Sequence, residues 1–177
     1  MRHRIRGAID SDGAAERPAG PRGTARDRAL RLLAVRWRSE SELRMRLRAA
    51  GFPPEEIDAA LEGLDRAGLV DDERFARELV RDQSGRKRAS NRAMESALRG
   101  KGVAVAIIED AVAAAGSDAD RALALAESRA PSLGSLDPEA AYRRLYGLLV
   151  RRGYGPSVAR DACRSALDPL LDGDCEA

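Results

Sequence analysis

A chain of 177 residues with 44% hydrophobic but only 3% aromatic content can bury a soluble core, and its Ala, Leu, Arg and Glu richness favours helix over strand. The net charge of +2 balances 31 basic against 29 acidic residues; only Lys87 and Lys101 among the basic ones are lysines, so arginine dominates, as it does where phosphates or carboxylates are gripped or where a genome is GC-rich. Two cysteines twelve positions apart, Cys163 and Cys175, and the single His3 fit no zinc or redox spacing, and no apolar run is long enough to span a bilayer, so a cytoplasmic chain without metal or cofactor is expected.

Residues 1–25 mix Arg, Gly, Pro, Asp and Ser without periodicity and read as a disordered basic tail. The first folded unit is expected over 26–68. It opens with a helix over 29–36 that carries Leu30 and Leu33. Ser39 and Glu42 then form a capping box ahead of Leu43 and Leu47, Gly51 stands at a helix end, and Ile57, Ala60, Leu61 and Leu64 give the apolar face of a third helix.

The second unit, 69–116, begins with Asp71, Asp72 and Glu73 capping a helix over 72–84 with Phe75 and Leu79 inside. Met94 and Leu98 mark its middle helix, Gly102 the turn, and Ile108, Ala111, Val112 and Ala115 its last face. The third unit, 117–168, has a helix over 119–130 with Leu123 and Ala126, then a surface loop over 131–137. Asp137-Pro138-Glu139 supplies an N-cap with proline at the first helical position, followed by Leu145, Leu149, Gly153 and the face Ala159, Ala162, Cys163, Ala166. Residues 169–177 form an acidic tail. Cys163 matches Leu61 and Val112 in repeat position and reads as a core residue.

The three turn glycines are 51 and again 51 residues apart, and the apolar positions around them repeat in register. The fold expected is all-α: three tandem three-helix repeats stacked into an elongated body that small rotations between units can curve, offering a long face rather than a deep pocket. Charge alternates with the same period. Blocks 26–51, 79–101 and 142–167 each carry +5, separated by −6 over 52–78 and −5 over 102–141, with −4 over 168–177.

Every middle helix is therefore basic. Arg44, Arg46 and Arg48, then Arg86, Lys87, Arg88, Arg92, Arg99 and Lys101, then Arg143, Arg144, Arg151 and Arg152 would line one ridge if the units stack alike, able to follow phosphates or acidic patches on a polymeric partner. The competing reading is that these charges solvate exposed helix faces. Aromatic residues are too few for a site that reads bases by stacking. No nucleophile, base or phosphate-binding loop is arranged for catalysis, so neither catalytic nor cofactor-binding nor metal residues are assigned.

Several stretches resemble the RecX family. Gly68-Leu69-Val70-Asp71-Asp72-Glu73-Arg74-Phe75-Ala76 resembles its LDD..FA signature, and Arg38-Ser39-Glu40-Ser41-Glu42-Leu43 its RS..EL opening. Gly85-Arg86 with Leu98-Arg99-Gly100-Lys101-Gly102-Val103 is similar to its G…L..KGI segment, and Leu149-Val150-Arg151-Arg152-Gly153-Tyr154 to its closing L..RGF. The match runs from about Arg26 to Leu167. Val70 replaces a usual leucine, Ala89 a larger aliphatic, and Ala159 and Ala166 thin the last core.

The resemblance implies a tandem three-helix, non-enzymatic regulator that binds RecA, preferentially as a filament on single-stranded DNA. It would suppress recombinase, ATPase and coprotease activities and so restrain recombination, DNA repair and the SOS response. Weak direct DNA binding, a monomeric state and no membrane contact go with it. Two other readings stay open: a helix-turn-helix-like DNA-binding protein acting without RecA, and a metal-dependent nuclease built on Asp71, Asp72 and Glu73.

Overall fold

The computed structural model describes residues 23–172, with side chains described as far as residue 168. Of the two expected tails, residues 1–22 and 173–177 lie outside the described residues. Among the described residues there are nine α-helices, one short 3-10 helix and no strand.

The first lobe contains α1 (Ala25–Leu33), α2 (Glu40–Ala49) and α3 (Pro54–Arg66); the second α4 (Asp72–Gly85), α5 (Asn91–Arg99) and α6 (Val105–Ala113). The third contains α7 (Asp118–Arg129), the 3-10 turn Ala130–Leu133, α8 (Pro138–Arg151) and α9 (Pro156–Asp172). The main helix packing joins members of the same lobe. Each lobe has its own core.

The middle-helix pairs expected from the i, i+4 stripe, Leu43 and Leu47, Met94 and Leu98, Leu145 and Leu149, are at most 1% exposed. Each is wedged against the buried face of its lobe's last helix: Ile57, Ala60, Leu61 and Leu64 in α3, Ile108, Ala111 and Val112 in α6, Ala159, Ala162, Cys163 and Ala166 in α9. Burying one such leucine contributes about 1.5–3 kcal/mol, but a core of ten or so residues is small, so each lobe depends on its neighbours. The small side chains of the third core are offset by Tyr154, Leu167 and the partly buried Leu133, Leu136, Tyr142, Tyr146 and Leu148.

The first helix of each lobe differs most from its sequence reading. α1 starts four residues earlier than expected, at a Thr24–Asp27 capping box, and it buries Ala25 and Ala29 while Leu30 is 37% exposed and Leu33 only partly covered. In α7 the buried set is Ala122, Leu125 and Ala126, with Leu123 at the edge. Small residues let these helices approach their lobes closely, and Leu30, Leu33 and Leu123 are left towards the flank while Leu125 is buried. In α4 Phe75, Ala76 and Val80 are buried and Leu79 is partly covered.

The repeat glycines behave as their spacing predicts. Gly51, Gly102 and Gly153 have φ of +86, +70 and +91°, the left-handed conformation that ends a helix at small cost only for glycine. Gly102 and Gly153 have a second constraint. A Cβ on Gly102 would overlap the Ser41 hydroxyl, and one on Gly153 would lie 2.5 Å from Ser90 Oγ, both belonging to the preceding lobe.

Gly116 separates the two effects, since its φ is +81° but a Cβ there would have nothing within 4 Å. Gly116→Ala should cost about 1 kcal/mol from backbone strain alone, whereas Gly102→Ala should cost roughly 2–3 kcal/mol because strain and overlap add. Urea unfolding midpoints of the two variants would test this; equal losses would show that the close approach at Gly102 carries no stability.

Candidate partner interface

A partner meets several lobes at once only if the junctions between them fix their relative orientation. At the first junction the hydroxyl of Ser39, the N-cap of α2, donates to the Lys101 carbonyl beyond α5 at 2.6 Å while accepting from the Glu42 N–H. At the second, the N–H of Ser90, the N-cap of α5, donates to the Arg152 carbonyl beyond α8 at 3.1 Å. Ser90 and Arg152 lie 51 residues after Ser39 and Lys101. Both serines are fully buried.

The next residue repeats the correspondence. Glu40 N–H donates to Asp72 Oδ1 at 2.9 Å, and Asn91 N–H to Asp118 Oδ1 at 2.8 Å, the acceptor in each case being the first residue of the following lobe's leading helix. The two junctions close on equivalent residues. The third lobe is therefore seated on the second much as the second is on the first.

Reinforcement differs between them. At the first junction Glu42, with its side chain only 6% exposed, receives Arg36 at 2.5 Å, Lys101 at 3.3 Å and Arg38 at 3.4 Å. Burial pushes its carboxyl up, but the bonds from Arg36 and Lys101 outweigh this and hold it below its ordinary value. The expected capping box is thus half formed: Ser39 caps, while the Glu42 carboxylate turns to the cations instead of back to the Ser39 N–H. Arg74 also reaches across, 4.2 Å above the Trp37 ring.

The second junction uses carbonyls. Arg152 donates to the Lys87 carbonyl, and Arg88 to the Ala124 carbonyl and, at 3.1 Å, to Ser128 Oγ. The Arg88 carbonyl accepts from the Tyr154 hydroxyl at 2.7 Å. Arg88 has φ +46°, a strained value for a side-chain-bearing residue, and these bonds on both its ends hold it there. Arg121 adds a bond to Asn91 and one to Asp118 at 2.7 Å.

The thirteen cations expected to form a ridge fall into distinct settings. Arg88, Lys101 and Arg152 are bound into the junctions. Arg44 is held by Glu40 and Asp58, while Arg86 and Lys87 pair with Asp82, Arg99 with Glu95 and Arg143 with Glu139 on open surface. Such exposed pairs are worth at most about 1 kcal/mol and are readily exchanged for a partner's anions. Among the described residues Arg46, Arg48, Arg92, Arg144 and Arg151 form no ion pair.

By helical periodicity Arg44 and Arg48, Arg92 and Arg99, and Arg143 share the same outward face of successive middle helices, whereas Arg144 and Arg151 lie on a flank of α8. Arg129, at the end of α7 and outside the expected ridge, lines a groove with that flank. A reading based on charge runs does not reach it, because it stands alone in its segment.

The acids that suggested a nuclease have structural partners. Asp71 caps α4 through the Arg74 N–H at 2.8 Å, Asp72 spans the junction with its carboxyl pushed up by desolvation, and Glu73 pairs with Arg77. Cys163 is buried, its thiol pushed up to about 11 by the same cause. Among the described residues no three His, Cys, Asp or Glu are placed to hold a metal ion, and no helix is long and apolar enough to cross a membrane.

Three family models match in the order of the lobes: RecX first three-helix domain over residues 25–64, second over 71–112 and third over 117–163. The chain belongs to the RecX family. Relatives named regulatory protein RecX include that of Corynebacterium efficiens, 40% identical over 155 residues (83% of this chain, 73% of the relative), and that of Amycolatopsis mediterranei, 41% identical over 143 residues (77% and 79%). The crystal structure of RecX from Lactobacillus salivarius superposes with TM-score 0.68 at 19% identity, covering 80% of this chain and 94% of that one. A second RecX crystal structure gives TM-score 0.65 at 23% identity, over 84% and 71%. Both show the shared RecX fold.

The Glu42 cluster generates a pH dependence. With its folded-state pKa lowered, Glu42 stabilises fully above the ordinary glutamate value of about 4.3, and that stabilisation is lost as pH falls through the lower folded value. Glu42→Gln should cost about 1–2 kcal/mol at neutral pH, discounted because Arg36 and Lys101 keep part of their hydration. Urea titrations should show the gap between wild type and variant closing from pH 6 to about pH 3. A gap independent of pH would remove the ionic account.

Proposed function

We propose that this chain regulates RecA without chemistry of its own, by lying along the RecA filament on single-stranded DNA and bridging successive protomers. The observation that carries the reading is the twice-used junction. Because equivalent residues close both, the outward cations Arg48 and Arg99, and Arg92 and Arg143, recur at 51-residue intervals on lobes seated alike. A partner with a repeating acidic or phosphate surface would be met at several points, and linked weak contacts gain from high local concentration.

On this reading the chain works as a cytoplasmic monomer, hinders filament growth or the motions of nucleotide turnover, and thereby lowers recombinase, ATPase and coprotease activities. Recombination, DNA repair and the SOS response would be restrained together. RecX membership and the naming of its relatives as regulatory proteins support it. Direct DNA contact would be weak and salt-sensitive.

A helix-turn-helix module acting alone is less well supported. Such a module presents the N-terminal part of its recognition helix to a DNA groove, whereas the starts of α2 and α5 are closed off by the following lobe, with Ser39 and Ser90 fully buried.

Substoichiometric inhibition of RecA strand exchange is expected; activity only at one regulator per protomer would count against bridging. Reversing Arg48, Arg92 and Arg99 together to Glu should weaken capture on RecA–ssDNA filaments by at least about tenfold with an unchanged helical circular dichroism signal. Arg88→Ala with Arg152→Ala should instead lower the unfolding midpoint. Undiminished capture by the triple variant would overturn the cationic-face reading.

A further inference from the structure

The third lobe carries a groove of about 730 Å³ between α7, the 3-10 turn and α8, lined by Arg129, Leu133, Arg143, Arg144, Leu148 and Arg151 among others. Its position follows from the repeat. Arg143 and Arg144 stand two periods of 51 after Ser41 and Glu42, and Arg144 one period after Ala93. Those earlier residues receive the next lobe: Ser41 faces Gly102, Glu42 binds Lys101, and Ala93 faces Gly153. The groove is the face on which a further lobe would sit.

The third lobe has altered that face in two ways. Where α2 and α5 start at a buried capping serine, α8 begins about a turn earlier, at the Asp137 cap, so the position equivalent to Ser39 and Ser90 is Ala141, inside the helix. Charge is also reversed. The slot of Glu42, which binds a basic residue of the next lobe, holds Arg144, flanked by Arg129 and Arg151. None of these three forms an ion pair among the described residues, and Arg143 has only its exposed pair with Glu139.

Such a face repels another basic Lys-Gly or Arg-Gly turn and attracts carboxylates. Its floor is apolar, formed by Leu145, which is 1% exposed, and the partly exposed Leu133 and Leu148. No aromatic ring lines it, so a nucleobase has nothing to stack on. A leucine-sized side chain, by contrast, would cover apolar surface while arginine forks take flanking carboxylates.

We propose that this terminal groove is a docking site for an acidic, leucine-bearing segment of a partner protein, in the position that a neighbouring lobe occupies elsewhere in the chain. The site shares Arg143 with the outward faces of the middle helices, but its other cations, Arg129, Arg144 and Arg151, lie off those faces, so it does not depend on the filament reading.

The test uses the full chain and a fluorescein-labelled ten-residue peptide of Asp and Glu with two leucines, followed by anisotropy and by amide chemical shifts. Saturable binding with shifts confined to Arg129–Leu133 and Ala140–Arg151 is expected. Affinity should fall by at least about fivefold in R144E/R151E, which are surface changes, and by at least about threefold when both peptide leucines become serine. No binding, shifts elsewhere, or insensitivity to R144E/R151E would overturn the proposal. So would oligo(dT) displacing the peptide from these residues at equal concentration, which would assign the groove to nucleic acid. A large gain in affinity on neutralising Asp174 and Glu176 would assign it to the chain's own C-terminal segment.

Discussion

The architecture rests on a contact between a helix start and a helix end: a buried capping serine meets the carbonyl just past the next lobe's middle helix, beside a glycine that has no room for a side chain. A helix end has unpaired carbonyls, and the helix start brought against it supplies a donor, the Ser39 hydroxyl at one junction and the Ser90 N–H at the other. The glycine supplies both the left-handed turn and the close approach. With three small cores that hardly share helices, this contact is what converts three lobes into one body.

The contact also divides the basic residues into two groups. Lys101 and Arg152 sit next to the turn glycines, so their ammonium and guanidinium groups fall at the junctions, on Glu42 in one case and on the Lys87 carbonyl in the other. Arg88 belongs to the same setting through Ala124 and Tyr154. What remains for a partner is narrower than the run of basic residues suggests: the outward face of the middle helices, and separately the flank of α8.

Much of this was legible in the sequence because periodic features come from periodic packing. The 51-residue glycine spacing, the paired large residues before each glycine and the apolar face after it all lie within one lobe, where i, i+3 and i, i+4 neighbours determine burial. The leading helices were less legible. A leucine is a stronger apolar signal than an alanine, yet Ala25, Ala29, Ala76, Ala122 and Ala126 are the fully buried residues of these helices, because close helix approach selects for small size. Glu42 reads locally as half of a capping box, whereas its carboxylate is held by the nearby Arg36 and Arg38 and by Lys101, 59 positions away, which no local rule connects to it. Arg129 had no neighbours of its own sign to make it visible.

The end of the array completes the logic of the junction. A face that accepts the next lobe would, left unchanged in the last one, invite a second copy of the chain to add on head to tail and propagate without closing. Starting α8 a turn early removes the capping serine from that position, and placing Arg144 where Glu42 stood turns the attraction for a basic turn into repulsion. The substitution that closes this face to a further lobe of the same kind is also the one that gives it a preference for anions. In this chain termination and recognition come from the same residues, because a surface built to refuse one partner acquires by its charge an affinity for another.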